Sequence, residues 1–277
     1  MKTVKEYSRI VNNAIAALAY EEPASLYDPV RYTMEGQGKR LRPVLTLAVA
    51  DAMQADVEKA VMPAVGVELY HNFTLLHDDI MDNSPTRRGR QAVWKRWSQA
   101  QAILSGDAMF SVAMDCMVRS GYSAGVRLSM IECFNSTALA VDRGQQFDMD
   151  FESRADVTLD EYIEMISLKT GALLAGACVV GAICGDASDS VRDAFRAYGI
   201  NLGIAFQIQD DILDVYGNEA TLGKPIGGDI LNDKHTWLHI QAMTEDYAGM
   251  TDVYDRGLAG DEKISAVRAV YDRLSLR

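Results

Sequence analysis

The sequence predicts an all-α fold, a single domain of many antiparallel helices spanning residues 1–277. Apolar residues recur at the three- and four-residue spacing of an amphipathic helix along nearly the whole chain, as at Val11, Ile15 and Leu18. Sustained alternation of apolar and polar residues, the pattern of a half-buried strand, is hard to find. The chain also has only six prolines and no change of composition that would mark a linker, which favours one domain over two.

Helical periodicity predicts helices, in chain order, over 3–20, 40–53, 57–82, 98–119, 121–149, 158–184, 187–216, 230–247 and 261–275. Two of them, 57–82 and 187–216, each end in a group of aspartates. The helix over 158–184 contains the most apolar segment, GALLAGACVVGAIC. Because about 20 apolar residues are needed to cross a bilayer, this shorter segment predicts a closely packed core helix and no transmembrane segment.

The charge balance narrows the class of partner. With 27 basic and 39 acidic residues the formal charge is −12, and binding to nucleic acid needs a basic face instead. We therefore expect no nucleic-acid partner, although small molecules that carry phosphate remain possible. The first twenty residues lack the continuous apolar region of a secretory signal, so a cytoplasmic protein is predicted. The four cysteines show no metal-binding spacing and are interpreted as reduced core residues.

Residues 77–90 read HDDIMDNSPTRRGR and place Asp78, Asp79 and Asp82 at the end of an apolar run. On a helix, Asp78 and Asp82 lie on one face about one turn apart. Their like charges repel unless a cation lies between them. The spacing therefore indicates a bound positive group.

A second cluster repeats the pattern. Residues 207–216 read QIQDDILDVY, with Asp210, Asp211 and Asp214 at the same spacing. One D-D-x-x-D pattern can arise by chance on a solvated helix face. Two copies, each flanked by Leu, Ile, Phe or Met, are harder to explain in that way, because an unpaired charge is costly in apolar surroundings. Both clusters need positive partners.

Carboxylate oxygens are the ligands that hard divalent cations prefer, and Mg²⁺ is usually held by one or two protein carboxylates together with water and phosphate. The alternative, a zinc site at His235 and His239, has no third ligand at a matching spacing. If the two helices end at the same side of a bundle, the aspartates form a negative cavity for several Mg²⁺ ions. Those ions would bind a diphosphate.

Basic residues accompany the acidic clusters. Arg87, Arg88 and Arg90 follow the first one and can take phosphate oxygens that the metal leaves free. Considered alone, Arg87 and Arg88 would also fit an exposed basic loop. Others are placed at further element ends, namely Lys39, Arg40 and Arg42 in GQGKRLRP, Lys169 with Thr170 in SLKTGALL, and Lys224 and Lys234 in GKPIGGDILNDK.

These motifs form an ordered set along nearly the whole chain: GKRLRP, HNFTLLHDDIMDNSPTRRG, LSGDAMF, GQQFDMD, LKTGAL, FQIQDDILD, GKPIGGDI and DK. The set resembles the trans-isoprenyl diphosphate synthases, the polyprenyl synthetase family. The resemblance implies a bundle of helices around a central cavity, a homodimer, and the condensation of an allylic diphosphate with isopentenyl diphosphate. It also implies Mg²⁺, with three ions per site when diphosphate is bound.

The resemblance assigns roles by motif. The isopentenyl diphosphate site corresponds to Lys39, Arg42, His71 and Arg88. The Mg²⁺ ligands correspond to Asp78, Asp82, Asp210 and Asp214, and Asp79 and Asp211 either bind metal or orient the ligands. The partners of the allylic diphosphate correspond to Arg87, Lys169, Thr170, Gln207, Lys224 and Lys234. The catalytic set is Asp78, Asp79, Asp82, Lys169, Asp210, Asp211 and Lys224, with the loop 223–228 expected to close over the site.

The charges and the apolar residues of the predicted bundle suit this chemistry. Diphosphate leaves only if its developing charge is stabilised, which Mg²⁺ and lysines do electrostatically. The allylic carbocation that remains must be kept from water, and an apolar bundle interior shelters it while the double bond of isopentenyl diphosphate attacks. The departing diphosphate is the expected base, because no catalytic histidine or glutamate is evident.

Product length depends in this family on the residue five positions before the first cluster. That residue is Phe73, with Thr74 next and Tyr70 a turn below, although ideal helix geometry puts Thr74 more directly beneath Asp78. The alternative role for both aromatic residues is the hydrophobic core. The pattern is most similar to geranylgeranyl (C20) synthases, with farnesyl (C15) synthases next.

Two departures and three alternatives accompany the resemblance. The chain has GQGKR where the family usually has GGKR, and it ends at YDRLSLR without the longer tail of many members. A terpene cyclase would share the fold and one aspartate motif, but would not need both clusters and a separate basic site. A non-catalytic subunit would be expected to have lost ligands, and a helical scaffold protein would show no Mg²⁺-dependent binding of diphosphate.

Overall fold

A computed structural model describes residues 1–36, 38–218 and 226–276. The chain is helical almost throughout, which confirms the all-α prediction. In the part of the chain that the structure describes, strand pairing is confined to a short antiparallel hairpin. Its strands are β1 (Thr86–Arg87) and β2 (Arg90–Gln91), with Arg87 opposite Arg90.

The helices follow one another with short connections. They are α1 Val4–Ala16, α2 Ala24–Met34, α3 Leu41–Ala52, α4 Val57–Met81, α5 Val93–Arg96, α6 Gln99–Val118, α7 Ala124–Phe151, α8 Leu159–Ile166, α9 Ala172–Cys184, α10 Asp189–Tyr216, α11 Gly228–Leu231, α12 Trp237–Glu245, α13 Tyr247–Asp255 and α14 Gly260–Arg273. A π-helical segment, Ser167–Gly171, lies between α8 and α9.

Contacts between Cα atoms divide the chain into two compact units. The first unit comprises Met1–Leu139 and Ala172–Gly199, and the second comprises Ala140–Gly171 and Ile200–Arg277. The single domain over 1–277 stays a prediction.

Short polar side chains begin several helices. Thr3 and Glu6 form a reciprocal capping box at α1, and Thr158 and Glu161 form another at α8. Asp56 accepts a hydrogen bond from the backbone at the start of α4. Each cap of this kind stabilises a helix by about 1 kcal/mol, because it satisfies a backbone N–H that has no partner within the helix.

Helix α9 forms the centre of the first unit. All thirteen of its residues are buried, as the sequence predicts for the GALLAGACVVGAIC segment. Its small residues permit close packing, since a Cβ added at Gly181 would lie 2.4 Å from the carbonyl oxygen of Thr46. By length and composition alone, one helical stretch of the described residues, Leu159–Cys184, could cross a membrane, and 72% of its most apolar window is buried inside the protein. All four cysteines are buried and unpaired, as expected.

The second unit has an apolar core of its own, built from α10 to α14. It comprises Val215, Ile230, Leu238, Ala242, Met250, Val253, Val267, Val270, Tyr271 and Leu276. Phe151, Tyr162, Ile166 and Ile240 form a second cluster in this unit with their neighbours. The first of these clusters includes Val215, so it holds the C-terminal end of α10, which carries the second group of aspartates.

The structure corrects the predicted helices at five places. The sequence periodicity does not predict α2, α5 or α13. The predicted helix over 230–247 consists of two helices, α11 and α12, with a connection between them. The predicted helix over 158–184 contains the π-helical segment, in which the backbone turn is wider by about one residue.

Candidate active site

Helix α4 presents the first aspartate cluster, Asp78, Asp79 and Asp82, at its C-terminal end. Asp82 is the C-cap of the helix, and no basic residue lies in the last turn. Asp78 is half-buried, Asp79 is buried and Asp82 is exposed. Because the carbonyl groups give a helix C-terminus a partial negative charge, carboxylates are unfavourable there without a cation. The cluster therefore favours a bound cation.

Asp79, the middle residue of the cluster, is paired with a cationic side chain of the protein. Nε of Arg87 donates to its Oδ1 at 2.8 Å, and Nη2 of the same guanidinium forms an ion pair with that oxygen at 2.6 Å. Burial nevertheless raises the pKa of Asp79, although the hydrogen bond from Arg87 opposes that shift. Of the two roles expected for Asp79, this contact favours orienting the site over binding metal.

Three of the four predicted isopentenyl diphosphate residues, Arg42, His71 and Arg88, come together in the first unit. Nη1 of Arg42 lies 3.1 Å from Nε2 of His71. Burial lowers the pKa of His71 well below its ordinary value, and the charges of Arg42 and Arg88 lower it further. His71 is therefore neutral at pH 7 and can act as a hydrogen-bonding group beside cations. Lys39, the fourth predicted residue, is exposed.

Arg42 itself lacks a full set of partners. Its Nε atom is buried and makes no hydrogen bond to any described residue. Burial lowers the pKa of Arg42 to about 10, with Glu68 opposing the shift and Arg88 adding to it. A half-buried guanidinium whose Nε is buried and makes no hydrogen bond, among other positive charges, is suited to an anion.

Arg88 lies at the tip of the β hairpin. Both turn residues have positive φ, 52° at Arg88 and 73° at Gly89, the pattern of a type I′ turn. The left-handed region is unfavourable for arginine, so the hairpin keeps a strained residue at a predicted substrate contact. Nη1 of Arg88 donates to Oδ1 of Asn72 at 3.3 Å. On the other side, a Cβ added at Gly38 would come within 3.1 Å of this guanidinium, so the loop before α3 packs directly against it.

Two neighbouring arginines have structural partners. The guanidinium of Arg90 lies 3.7 Å above the ring of Tyr32, on α2, and donates to the Tyr32 carbonyl at 3.2 Å. These contacts hold the hairpin against α2 and leave Arg90 less suited to phosphate than expected. Arg40 is buried and donates to Glu68 at 2.8 Å and to the carbonyl of Met34 at 2.6 Å. It therefore fixes the loop that carries Lys39.

Helix α10 presents the second aspartate cluster, Asp210, Asp211 and Asp214, in the second unit. Asp210 is half-buried, and Asp211 and Asp214 are buried. Asp211 accepts hydrogen bonds from the Tyr162 hydroxyl at 2.5 Å and from Nε2 of Gln207 at 3.0 Å. The backbone N–H of Trp237 lies 3.4 Å from the same carboxylate. Burial raises the pKa of Asp211 in spite of these donors.

Asp214 has a different environment. Its Oδ2 accepts a hydrogen bond from the backbone N–H of Asp229 at 3.0 Å, and its carbonyl accepts one from Gly227 at 2.6 Å. Asp214 therefore ties α10 to the start of α11, and its predicted role as a metal ligand stays a prediction. Lys234 is half-buried beyond α11. Lys224 and the first half of the loop 223–228, residues 223–225, lie outside the described residues.

The π-helical segment places Lys169 and Thr170. Nζ of Lys169 donates to Oδ2 of Asp148 at 2.6 Å, and Thr170 donates to Oε1 of Gln207 at 2.9 Å. A Cβ added at Gly144 would lie 2.2 Å from the backbone nitrogen of Lys169, so only glycine lets the two backbones approach this closely. Asp148 is a site residue that the sequence reasoning missed, although the GQQFDMD motif contains it.

No three His, Cys, Asp or Glu side chains gather as a metal cage within residues 1–36, 38–218 and 226–276. Mg²⁺ does not require one, because one or two carboxylates with water and phosphate oxygens complete its coordination. The aspartates at the C-terminal ends of α4 and α10 fit that requirement, because neither helix has a basic residue in its last turn. His235 and His239 lie with ring centroids 5.1 Å apart, but His239 contacts the Tyr254 hydroxyl instead of a third ligand.

The predicted chain-length residues belong to an aromatic cluster of the first unit. Phe73 is half-buried and packs edge-to-face on His77 and Phe110, with ring centroids 4.7 and 5.6 Å apart. Tyr70 is 1% exposed and is a core residue in this structure. Thr74 donates to the carbonyl of His71 at 2.8 Å. The sequence reasoning missed Phe110, which the LSGDAMF motif contains.

Comparison with known proteins settles the family. A family model described as polyprenyl synthetase matches residues 23–274. This chain belongs to the polyprenyl synthetase family. It is therefore a short-chain prenyltransferase, in a family that uses Mg²⁺ and takes isopentenyl and allylic diphosphates as substrates.

Several polyprenyl synthetase relatives are similar over long stretches. A geranylgeranyl diphosphate synthase of Methanosarcina mazei is 39% identical over 275 residues, covering 99% of this chain and 84% of the relative. A (2E,6E)-farnesyl diphosphate synthase of Mycobacterium bovis is 43% identical over 203 residues, covering 72% of this chain and 55% of the relative. A crystal structure of geranylgeranyl pyrophosphate synthase superposes with a TM-score of 0.94 at 39% identity, covering 99% of this chain and 86% of that one.

Proposed function

We propose that this prenyltransferase extends an allylic diphosphate (dimethylallyl, geranyl or farnesyl) with isopentenyl diphosphate and releases geranylgeranyl diphosphate, with farnesyl diphosphate as the second candidate product. The observation that carries the proposal is the group of positive side chains around the neutral His71. Arg42 and Arg88 flank this histidine, and one of their donors is buried and unused. Such a group binds a diphosphate but has no role in a scaffold protein.

In the proposed reaction, Lys39, Arg42, His71 and Arg88 hold isopentenyl diphosphate. His71 donates one hydrogen bond without adding charge, because its lowered pKa keeps it neutral. Arg87, Lys169, Thr170, Gln207, Lys224 and Lys234 hold the allylic diphosphate. Their positive charges stabilise the diphosphate as it departs, and the departed diphosphate accepts the proton that restores the alkene.

Mg²⁺ is the proposed cofactor, with Asp78, Asp82, Asp210 and Asp214 as ligands and three ions per site when diphosphate is bound. When bound, it would neutralise negative charge on the diphosphate leaving group. Asp79 and Asp211 are proposed to orient the site, since Arg87 contacts the first and Tyr162 and Gln207 contact the second. A homodimer and a cytoplasmic location are further expectations of this proposal.

The C20 product rests on two supports. The Methanosarcina relative that aligns with 99% of this chain is named a geranylgeranyl diphosphate synthase. In addition, one half-buried aromatic residue, Phe73, occupies the position that limits product length in the family. The Mycobacterium relative, which is named a farnesyl diphosphate synthase, keeps the C15 product as the second candidate.

The test is an incubation of the purified protein with isopentenyl diphosphate and dimethylallyl, geranyl or farnesyl diphosphate, with and without Mg²⁺. Chromatography of the dephosphorylated products identifies their length. Mg²⁺-dependent elongation that stops at C20 supports the proposal in full, and a stop at C15 replaces the product. Release of diphosphate together with cyclic hydrocarbon would indicate a terpene cyclase, and no extension of any primer would indicate a non-catalytic subunit.

A further inference from the structure

Two polar side chains of α4 are buried although neither belongs to an aspartate cluster. Glu68 is 2% exposed and Asn72 is 1% exposed. A buried carboxylate is costly unless it is paired, and Nη1 of Arg40 donates to Oε1 of Glu68 at 2.8 Å. Asn72 lies one helical turn further on, and its Nδ2 donates to the same Oε1 at 3.1 Å. The pair forms a buried polar contact inside an otherwise apolar helix face.

This contact decides which way the amide of Asn72 faces. An ionised carboxylate only accepts hydrogen bonds, so the Nδ2 end of Asn72 must lie toward Glu68. The same Nδ2 also donates to the carbonyl of Glu68 at 2.8 Å. The Oδ1 end consequently faces the other way, where Nη1 of Arg88 donates to it at 3.3 Å.

Arg88 needs such an anchor more than most arginines. It lies in the two-residue turn of the hairpin, and its backbone has a left-handed conformation. Fixing its side chain costs about 2 kcal/mol of rotamer entropy. Burial lowers the pKa of Arg88, and the charges of Arg40 and Arg87 lower it further, whereas Glu68 raises it. Glu68 and Asp79 attract the guanidinium while Arg40 and Arg87 repel it, and the acceptor on Asn72 fixes its position among these charges.

We propose that Asn72, oriented by the buried Glu68, is a positioning residue that holds Arg88 ready for the diphosphate of isopentenyl diphosphate. The inference rests on the proposed function, because that function assigns Arg88 to this substrate. Asn72 acts through Arg88 and does not belong to either aspartate cluster. Its replacement therefore affects the use of one substrate and leaves the use of the other unchanged.

A double-mutant cycle tests this role. Asn72→Leu keeps the approximate volume and removes both ends of the amide, and Arg88→Gln removes the guanidinium. We expect Asn72→Leu to raise the KM for isopentenyl diphosphate about tenfold, with less than about a twofold change in the KM for the allylic diphosphate. Once Arg88 is Gln, adding Asn72→Leu should change the KM for isopentenyl diphosphate by less than about twofold, since the group it positions is gone.

Controls separate positioning from a general effect on the fold. Asn13→Leu makes the same chemical change at an exposed asparagine of α1 and should leave both KM values unchanged. Thermal unfolding followed by circular dichroism shows whether each variant is folded. If Asn72→Leu does not fold, Asn72→Ser serves instead, because it removes the contact with Arg88 and keeps a small polar group.

The outcomes distinguish the two proposals. Calorimetric titration with isopentenyl diphosphate alone measures the same contact without turnover, and binding should weaken about tenfold in Asn72→Leu. Equal changes for both substrates, or effects of Asn72→Leu and Arg88→Gln that simply multiply, would overturn the role of Asn72 and leave the proposed function intact. A wild-type protein that neither binds nor extends isopentenyl diphosphate would overturn both.

Discussion

The two aspartate clusters have the same sequence pattern but different surroundings. In the first cluster the middle carboxylate, Asp79, contacts a cation, the guanidinium of Arg87. In the second cluster the middle carboxylate, Asp211, accepts from neutral donors, which are a tyrosine hydroxyl, a glutamine amide and a backbone N–H. The last aspartate also differs, because Asp82 is exposed and Asp214 is buried.

The D-D-x-x-D pattern is therefore not one structural unit that the chain uses twice. In both clusters a side chain of the protein contacts the middle residue, and in the second cluster the backbone N–H of Asp229 also contacts the outer residue Asp214. At the middle position the first cluster receives a compensating charge from Arg87, and the second receives hydrogen bonds from neutral donors. Removing these donors should therefore have different consequences in the two clusters.

The largest expected effect comes from removing an outer aspartate of either cluster. Asp78→Ala or Asp210→Ala should lower kcat by about a thousandfold or more, because each removes a proposed ligand of the ions that stabilise the leaving diphosphate. Steady-state rates with saturating Mg²⁺ measure this. Glu58→Ala on α4 and Asp193→Ala on α10 remove exposed acids from the same two helices and should remain near wild type. Near wild-type turnover in either outer variant would count against the site.

The middle aspartates should differ when their donors are removed. Arg87→Met removes the cation that is paired with the buried Asp79. It should lower the free energy of unfolding by about 2–3 kcal/mol, which is less than for a fully buried ion pair because Arg87 is partly exposed. Tyr162→Phe removes one of several donors to Asp211 and should cost about 1–2 kcal/mol. Urea unfolding at pH 7 gives both values.

A change of pH sharpens this prediction. The raised pKa of Asp79 means that the native state holds a proton on it more readily than the unfolded chain does. The penalty of Arg87→Met is thus present at neutral pH and shrinks as the pH falls toward the pKa of the buried carboxyl. Equal losses in the two variants, or a penalty that grows in acid, would contradict the comparison.

Acid sensitivity should come from histidine and not from the middle aspartates. Burial lowers the pKa of His239 from 6.5 to about 4, so the unfolded chain binds its proton first. The stability that neutral His239 contributes is complete above pH 6.5 and is lost as the pH falls through 6.5 toward 4. Between pH 7 and 5 this amounts to about 2 kcal/mol.

Unfolding measured at several pH values checks the assignment. His239→Gln should reduce the dependence between pH 5 and 7, because glutamine does not titrate, and the part that His71 contributes through its own lowered pKa should remain. Asp79 and Asp211 have raised pKa values, so their protonation in acid has the opposite sign. An unchanged slope in His239→Gln would place the acid-sensitive group elsewhere.

Phe73→Ala should have the smallest effect on kcat and the clearest effect on product length. Removing this half-buried ring beside Phe110 should shift the product distribution to longer chains while kcat changes by less than about tenfold. Chromatography of the dephosphorylated products measures it. Leu128→Ala, at an exposed position of α7, is the matched control. An unchanged distribution would leave Phe73 as a core residue.

The fold was predictable wherever local periodicity decides it, and it was missed where tertiary packing does. Helix α2, which the periodicity does not predict, contains Pro29 in its second turn, a position where proline removes a backbone hydrogen bond. The helix forms because Pro29, Val30 and Met34 are buried. The π-helical segment at Ser167–Gly171 has no sequence signal that distinguishes it from regular helix.

The site was predictable to the extent that its residues are neighbours in the chain. The spacing of each aspartate cluster is local and visible. The partners are distant, since Tyr162 lies 49 positions from Asp211 and Arg40 lies 28 positions from Glu68. The sequence therefore indicates which residues carry the chemistry, and the structure adds the side chains that hold them.

The turn at Arg88 has a practical consequence for protein engineering. A type I′ turn accepts glycine or asparagine at this position at lower conformational cost than arginine, by about 1 kcal/mol. A library selected only for heat resistance would therefore drift toward Gly or Asn at position 88 and lose a substrate contact without any warning from its melting curve. Thermal tolerance and turnover are opposed at this single residue, so stabilising this enzyme requires that both be selected together.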